Sequence, residues 1–277
     1  HSFPTRRSSD LAAVLQGSVS AYASLSRPTA GHPLEPVLLR GKVEMPHDAA
    51  SVSDPDFSAL DQAGLNLHAV FDLAALPAGM RDLLDPARRF CRVLLVGHGG
   101  QRLWEQVQAS GIEGTHPIDD FSLATVSAWI AENLPQAAFS VLYPGEMPVG
   151  LQALGRLAGW HHESPFRLGI NERWGSWFAY RVAVLVAHPL PPTPPEPGGS
   201  PCEACTGKPC LDACPAGALA GEFSLEKCIA WRRQPDSSCR LACLARNACP
   251  VRAEHRYLEA QIAHSYGYSL RMIEACS

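Results

Sequence analysis

From residue 56 onward, apolar and polar positions alternate in short stretches, most of them closed by glycine or proline. Residues 57–63 predict a short helix. Residues 65–76 begin with apolar side chains at every second position, predicting a strand that turns at Pro77. Residues 92–97 form an apolar run ended by glycines, suited to a buried strand, and a helix is expected over 102–109. Asp119 and Asp120 then precede Phe121, Leu123, Val126, Trp129, Ile130 and Leu134. That is an N-cap signal followed by an amphipathic helix stopping at Pro135. A strand over 139–143 and a helix over 150–157 follow. Residues 166–170 and 177–187 predict two paired strands, because 171–175 make a polar, glycine-ended connection. The expected fold class is α+β, with a mixed sheet spanning 54–188.

The two ends read differently. Residues 1–10 resemble a translated sequencing adapter and are set aside, and 11–25 predict a short helix at most. Residues 189–201 are rich in proline, which removes backbone donors and favours an extended linker, with Gly198 and Gly199 restoring freedom at its end. Residues 202–277 form a second, smaller domain. It closes on a helix over 253–273, whose Tyr257, Leu258, Ile262, Tyr266 and Leu270 pack a core, over this domain or against the first.

Composition narrows the function. With 27 acidic and 23 basic side chains the net charge is −4, and no long basic stretch argues for nucleic acid. The apolar runs are too short to span a bilayer. Eight of the 10 cysteines lie between Cys202 and Cys249. With no export signal, that density points to metal binding in a reducing cytoplasm. Cys91, at the entry to an apolar strand, reads as a small core residue, and Cys276 lies in the tail.

The cysteines run Cys202-Glu-Ala-Cys205-Thr-Gly-Lys-Pro-Cys210-Leu-Asp-Ala-Cys214-Pro215, then Cys228, then Cys239-Arg-Leu-Ala-Cys243 and Cys249-Pro250. Eight thiolates suffice for two 4Fe–4S clusters, and the two Cys-Pro endings resemble bacterial ferredoxins. In that arrangement the cysteine before proline ligates the other cluster. The resemblance therefore implies one cluster on Cys202, Cys205, Cys210 and Cys249, and a second on Cys214, Cys228, Cys239 and Cys243. Two spacings depart from the pattern: four residues separate Cys205 from Cys210, and five separate Cys243 from Cys249. Structural zinc is the alternative.

The most distinctive segment elsewhere is Leu168-Gly-Ile-Asn-Glu-Arg-Trp-Gly-Ser-Trp-Phe-Ala-Tyr-Arg-Val182. It resembles the His-Pro-Arg-Phe-Gly-Gly-Trp-Phe-Ala-Ile-Arg segment of cblC-type cobalamin-processing proteins. Arg173, Gly175, Trp177, Phe178, Ala179 and Arg181 match, while Asn171 and Glu172 replace the His-Pro and Ser176 replaces a glycine. Gly-Ser-Trp-Phe ahead of a two-cluster module also resembles epoxyqueuosine reductases. The chain lacks room for their helical-repeat extension, and their catalytic aspartate segment is not found.

The resemblance implies a nitroreductase- or cblC-like first domain. Arg173, Gly175, Ser176, Trp177, Phe178 and Arg181 would meet a corrin. Trp177 and Phe178 also suit a plain core, whereas Arg181, inside a strand, demands a partner. Asp119 and Asp120 read as helix caps, and His161-His162 as surface residues at the edge of a pocket. Three readings stand: a cobalamin-dependent reductase of a small-molecule substrate fed by two clusters, a cobalamin-handling relay, or an electron carrier that binds no corrin. Each needs an electron donor.

Overall fold

The computed structural model describes residues 54–145 and 149–275. The adapter-like segment, the helix expected over 11–25 and Cys276 lie outside them. The element order is α1 (Ser58–Gln62), β1 (Leu67–Asp72), α2 (Ala78–Leu84), β2 (Arg92–Gly99), α3 (Arg102–Ser110), α4 (Pro117–Asn133), β3 (Phe139–Tyr143), α5 (Leu151–Leu157), β4 (His162–Glu163), β5 (Gly169–Ile170) and β6 (Phe178–Val186). Helices α6 (Pro201–Ala204), α7 (Pro209–Asp212), α8 (Leu225–Arg233), α9 (Leu244–Asn247) and α10 (Glu259–Ala275) complete it.

One four-stranded sheet, ordered β1-β2-β6-β3, organises the first part, and every pairing in it is antiparallel. The expected mixed sheet is thus corrected to an antiparallel one. The sheet is buried on both faces. Val93 and Leu95 of β2 join Tyr180, Ala183 and Leu185 of β6 and Leu151 and Leu154 of α5 on one side. Leu94 and Val96 join Val182, Val184 and Val186 and the helix residues Leu103, Val107, Val126 and Trp129 on the other. Helices on both faces explain why β2 and β6 read as nearly continuous apolar runs. A bulge between Val96 and Gly97 shifts the register as β2 reaches His98.

Two local expectations are overturned. Residues 169–170 do not pair with 177–187: β5 pairs with β4, and β6 takes β2 and β3 instead. Asn171 and Gly175 close a tight loop in place of a hairpin of long strands, and Asn171 Oδ1 caps it by accepting from the amides of Arg173 (3.1 Å) and Trp174 (2.7 Å). Second, α4 starts two residues before Asp119. Pro117 occupies its first turn and His116 its N-cap, so Asp119 and Asp120 are first-turn acids that oppose the helix dipole, not caps.

The proline-rich segment is extended, as expected, and it is laid onto the sheet domain. Thr193 exchanges hydrogen bonds with Val70 of β1, its amide donating at 2.9 Å and its hydroxyl accepting at 3.1 Å. Further on, the Glu196 amide donates to the Ala158 carbonyl at 2.9 Å. Gly159 permits this approach: its φ is +76°, and a Cβ there would collide with the Glu196 backbone.

Among the described residues, 201–275 contain helices and turns but no strand, so the strands of a ferredoxin-like module are not seen. The expected C-terminal helix is split into a 3₁₀ turn (Ala253–His255) and α10. No described helix is long and apolar enough to cross a membrane.

Candidate metal centre

Short helices bring the cysteines inward. Helix α7 carries Cys210 and leads into Cys214-Pro215, and α9 runs between Cys243 and Cys249-Pro250; these two helices pack against each other. Helix α8 carries Cys228 and is capped by Ser224, whose hydroxyl accepts from the Lys227 amide at 3.3 Å. Cys210, Cys239 and Cys249 are buried, the other five cysteines of the region are half-buried, and none is in a disulfide.

The thiols sort themselves by mutual charge. Burial pushes Cys202 up, followed by the charges of Cys249 and Cys205. Cys210 is raised by burial, then by Cys249, Cys202 and Cys205. Burial and then the charge of Cys243 raise Cys228 to about 12, with Cys214 and Cys239 adding to the rise. Cys243 is raised by burial and by Cys239 and Cys214. Burial raises Cys249 too, helped by Cys205. Each of these five thiols thus feels only members of one set of four: Cys202, Cys205, Cys210 and Cys249, or Cys214, Cys228, Cys239 and Cys243. Clustered thiols that repel one another's ionisation are what a cationic core relieves.

The second set lines a cavity of about 50 Å³ walled by Phe166, Leu168, Leu219, Phe223 and Trp231. Among the described residues no three of His, Cys, Asp and Glu are grouped closely enough to hold a metal ion. That describes a single ion, whose ligand sulfurs at ~2.3 Å bonds sit about 3.8 Å apart. A 4Fe–4S cluster places its own iron–sulfide core between the thiolates.

The resemblance residues lie along a seam between the sheet domain and this region. Trp177 is fully buried, immediately before β6, and packs with Tyr257, Ile262 and Tyr266. Arg246 of α9 stacks on it at 4.3 Å and donates to the Ser176 carbonyl at 2.6 Å. Gly175 has φ +59°, and a Cβ there would strike the Val251 carbonyl. Arg173 is exposed and pairs with Glu196 at 3.2 Å. Phe178 is buried, and with Ser176 it borders a cavity of about 30 Å³ that Arg246 also reaches. Gly175, Ser176, Trp177, Phe178 and Arg181 thus border the cysteine region and α10 while Arg173 faces solvent, and two cavities of about 30 Å³, one at Ser176 and Phe178 and one at Arg181, are far below corrin size.

Arg181 has the partners its burial demands. Its Nε donates to His98 Nδ1 at 2.9 Å, and Asp119 Oδ1 lies 3.8 Å from Nη1. Burial raises the Asp119 carboxyl against the pull of Arg181, consistent with an electrostatic contact too long for a hydrogen bond. Burial, then the charges of Arg181 and Arg246, hold His98 well below the usual histidine range, so it is neutral and free to accept. His98 stacks on Tyr257 at 5.3 Å, and Gln261 Nε2 approaches its other nitrogen at 3.5 Å. Sequence reasoning passed over His98. Its one signal is a histidine between glycines at the end of an apolar strand.

His161 is buried, correcting the expectation of a surface residue, and its Nδ1 meets the Tyr180 hydroxyl at 3.1 Å. Burial, then Arg156, lower its pKa to about 4, against a small opposite pull from Glu163. The folded state thus binds fewer protons than the unfolded chain between pH 6.5 and about 4. Its contribution, on the order of 3 kcal/mol, is complete above pH 6.5 and lost as pH falls toward 4. Urea unfolding at pH 7 and pH 5 should show this loss, and His161→Gln should reduce it.

A groove of about 760 Å³ lies between residues 237–242 and α10, with Arg240, Arg256, Arg271 and Leu241 on its walls. It passes directly beside Cys239 and Cys243 in the chain.

No protein-family model matches the chain, and no curated protein matches it. Solved structures similar to it include epoxyqueuosine reductase from Bacillus subtilis (14% identity, TM-score 0.47, covering 73% of this chain and 66% of that one). Another is epoxyqueuosine reductase from Streptococcus thermophilus (11% identity, TM-score 0.46, covering 70% and 64%). A third is a B12-trafficking protein CblC from C. elegans (12% identity, TM-score 0.41, covering 80% and 95%). The two groups that the sequence resembles are thus also the groups of these similar structures.

Proposed function

We propose that the chain is an iron–sulfur electron-transfer protein of reductase type, its eight cysteines holding two 4Fe–4S clusters. One observation carries this reading: short helices gather eight free, buried or half-buried cysteines, and each of the five raised thiols is raised by cysteines of its own set of four. The donor set suits iron–sulfur chemistry, all thiolate and walled by apolar and aromatic side chains. When bound, such clusters take up and release single electrons. The protein's part is to hold them, exclude water and supply fixed charge. This reading requires an electron donor.

Anaerobic reconstitution with iron and sulfide tests this. The expected product is brown and holds about eight irons and eight sulfides per chain, four per cluster. Colourless protein with stoichiometric zinc and no sulfide overturns it.

A cobalamin-linked activity is the second reading, favoured by the groove of about 760 Å³, whose walls include Ser238, Arg240 and Ala242, the chain neighbours of Cys239 and Cys243. That volume falls within the range of cofactor sites. Its arginines suit the amide and phosphate arms of a corrin nucleotide. Titrating the reconstituted protein with cobalamin should shift the corrin spectrum toward the base-off form, and an unchanged spectrum removes this reading while leaving the clusters in place.

A further inference from the structure

Arg246 occupies an unusual position. It lies in the four-residue helix α9, three residues after Cys243 and three before Cys249, which belong to different sets. Its side chain is only 7% exposed, yet no carboxylate pairs with it among the described residues. Trp177 and Tyr257 stack on its guanidinium at 4.3 and 5.0 Å, Nη2 donates to the Ser176 carbonyl at 2.6 Å, and Nε is buried with no partner. A buried guanidinium without a counter-ion is costly, and aromatic faces return only part of that cost. A hydrogen bond with the Tyr266 hydroxyl adds to that return, and an anion nearby would supply the rest.

Clusters held by the cysteines on either side of α9 would do so. Cys243 packs against the Trp177 and Tyr257 cluster on which the guanidinium stacks, and the Cys249 amide donates to the Arg246 carbonyl at 3.1 Å, so α9 is a single turn closed between the two sets. Among the described residues of 201–275, Arg232 is the other buried arginine. Arg232 is also already spoken for, donating to the carbonyls of Cys239 and Tyr266 and to the Ser269 hydroxyl.

We propose that Arg246 is the shared positive charge of the two cysteine sites and raises the reduction potential of both. It rests on the reading that the two sets hold clusters. Adding an electron makes a cluster one unit more negative, so a fixed buried cation stabilises the reduced state over the oxidised one. Low local dielectric keeps that charge from being screened. Because α9 joins the two sets, one residue acts on both sites, and its stacking on Trp177 ties that charge to the sheet domain. Arg246 is a positioning and tuning residue that makes no bond to iron.

The test is an EPR-monitored redox titration of the full reconstituted chain with dithionite and mediator dyes. Arg246→Gln should lower both midpoints by about 59 mV, a tenfold shift in a one-electron equilibrium. Arg246→Lys, which keeps the charge but not the planar stack, should stay close to the parent, and the exposed Arg233→Gln should not move either midpoint. Full iron content with unmoved midpoints in Arg246→Gln overturns the proposal. So does a shift at one cluster only, or an equal drop in Arg246→Lys, which also serves if the glutamine variant does not fold. A parent protein that takes up no iron and sulfide overturns the cluster reading itself, a different result from iron-replete protein with unmoved midpoints.

Discussion

Replacing Cys249 by serine should cost the protein the cluster of Cys202, Cys205 and Cys210, not the cluster of its near neighbour in sequence, Cys243. Iron content falls to about half, four irons of eight. The decisive comparison is between double variants. Cys249→Ser with Cys210→Ser should lose no more iron than either alone, because both residues serve one site. Cys249→Ser with Cys243→Ser should lose nearly all. The reasoning is that of a double-mutant cycle, with non-additivity reporting a shared site. The structure motivates the grouping, since the charge of Cys249 is felt by Cys202 and Cys210, while Cys228 feels Cys243. The opposite pattern, with Cys249 and Cys243 behaving as one site, would show that the altered spacings had re-paired the ligands.

The expected grouping depends on local order. Cys-Pro endings and close spacings are features of consecutive residues, and inserting residues between Cys205 and Cys210 lengthens a loop without changing which thiol follows which. Strand β3 was legible for a similar reason, a short apolar stretch bounded by turn residues. The pairing of β5 was not. A two-residue strand has too little pattern to choose a partner, and the loop closed by Asn171 and Gly175 hides whether its flanks form a hairpin.

The partners of Arg181 were out of reach for another reason. The need for a partner follows from a charge inside an apolar strand, but His98 and Asp119 come from β2 and α4, 83 and 62 residues away in the chain. Burial at 161 was misjudged because two adjacent histidines look polar, whereas the Tyr180 hydroxyl makes the first of them a core residue. The resemblance segment was distinctive in the sequence, but its surroundings were not. What covers it, the cysteine region with α10, could be seen only once the chain was folded.

Trp177→Ala should therefore be among the most damaging substitutions outside the cysteines. Trp177 is 0% exposed and packs with Tyr257, Ile262 and Tyr266. Removing a fully buried indole costs about 3–5 kcal/mol through lost burial and the cavity left behind. A further loss falls on Arg246, whose guanidinium stacks on that ring at 4.3 Å and would face a void. Trp177→Phe keeps an aromatic face and should retain most of the stability. The measurement is urea unfolding followed at once by circular dichroism and by cluster absorbance. In the parent the two signals should fall together, because the seam couples the sheet to the cysteine region. In Trp177→Ala the cluster signal should be lost first, at lower urea. The corrin-contact reading predicts the reverse, weakened cobalamin binding with an unchanged unfolding midpoint. A residue that is a ligand contact leaves an empty surface when truncated, whereas one that is a joint leaves two parts that no longer hold each other.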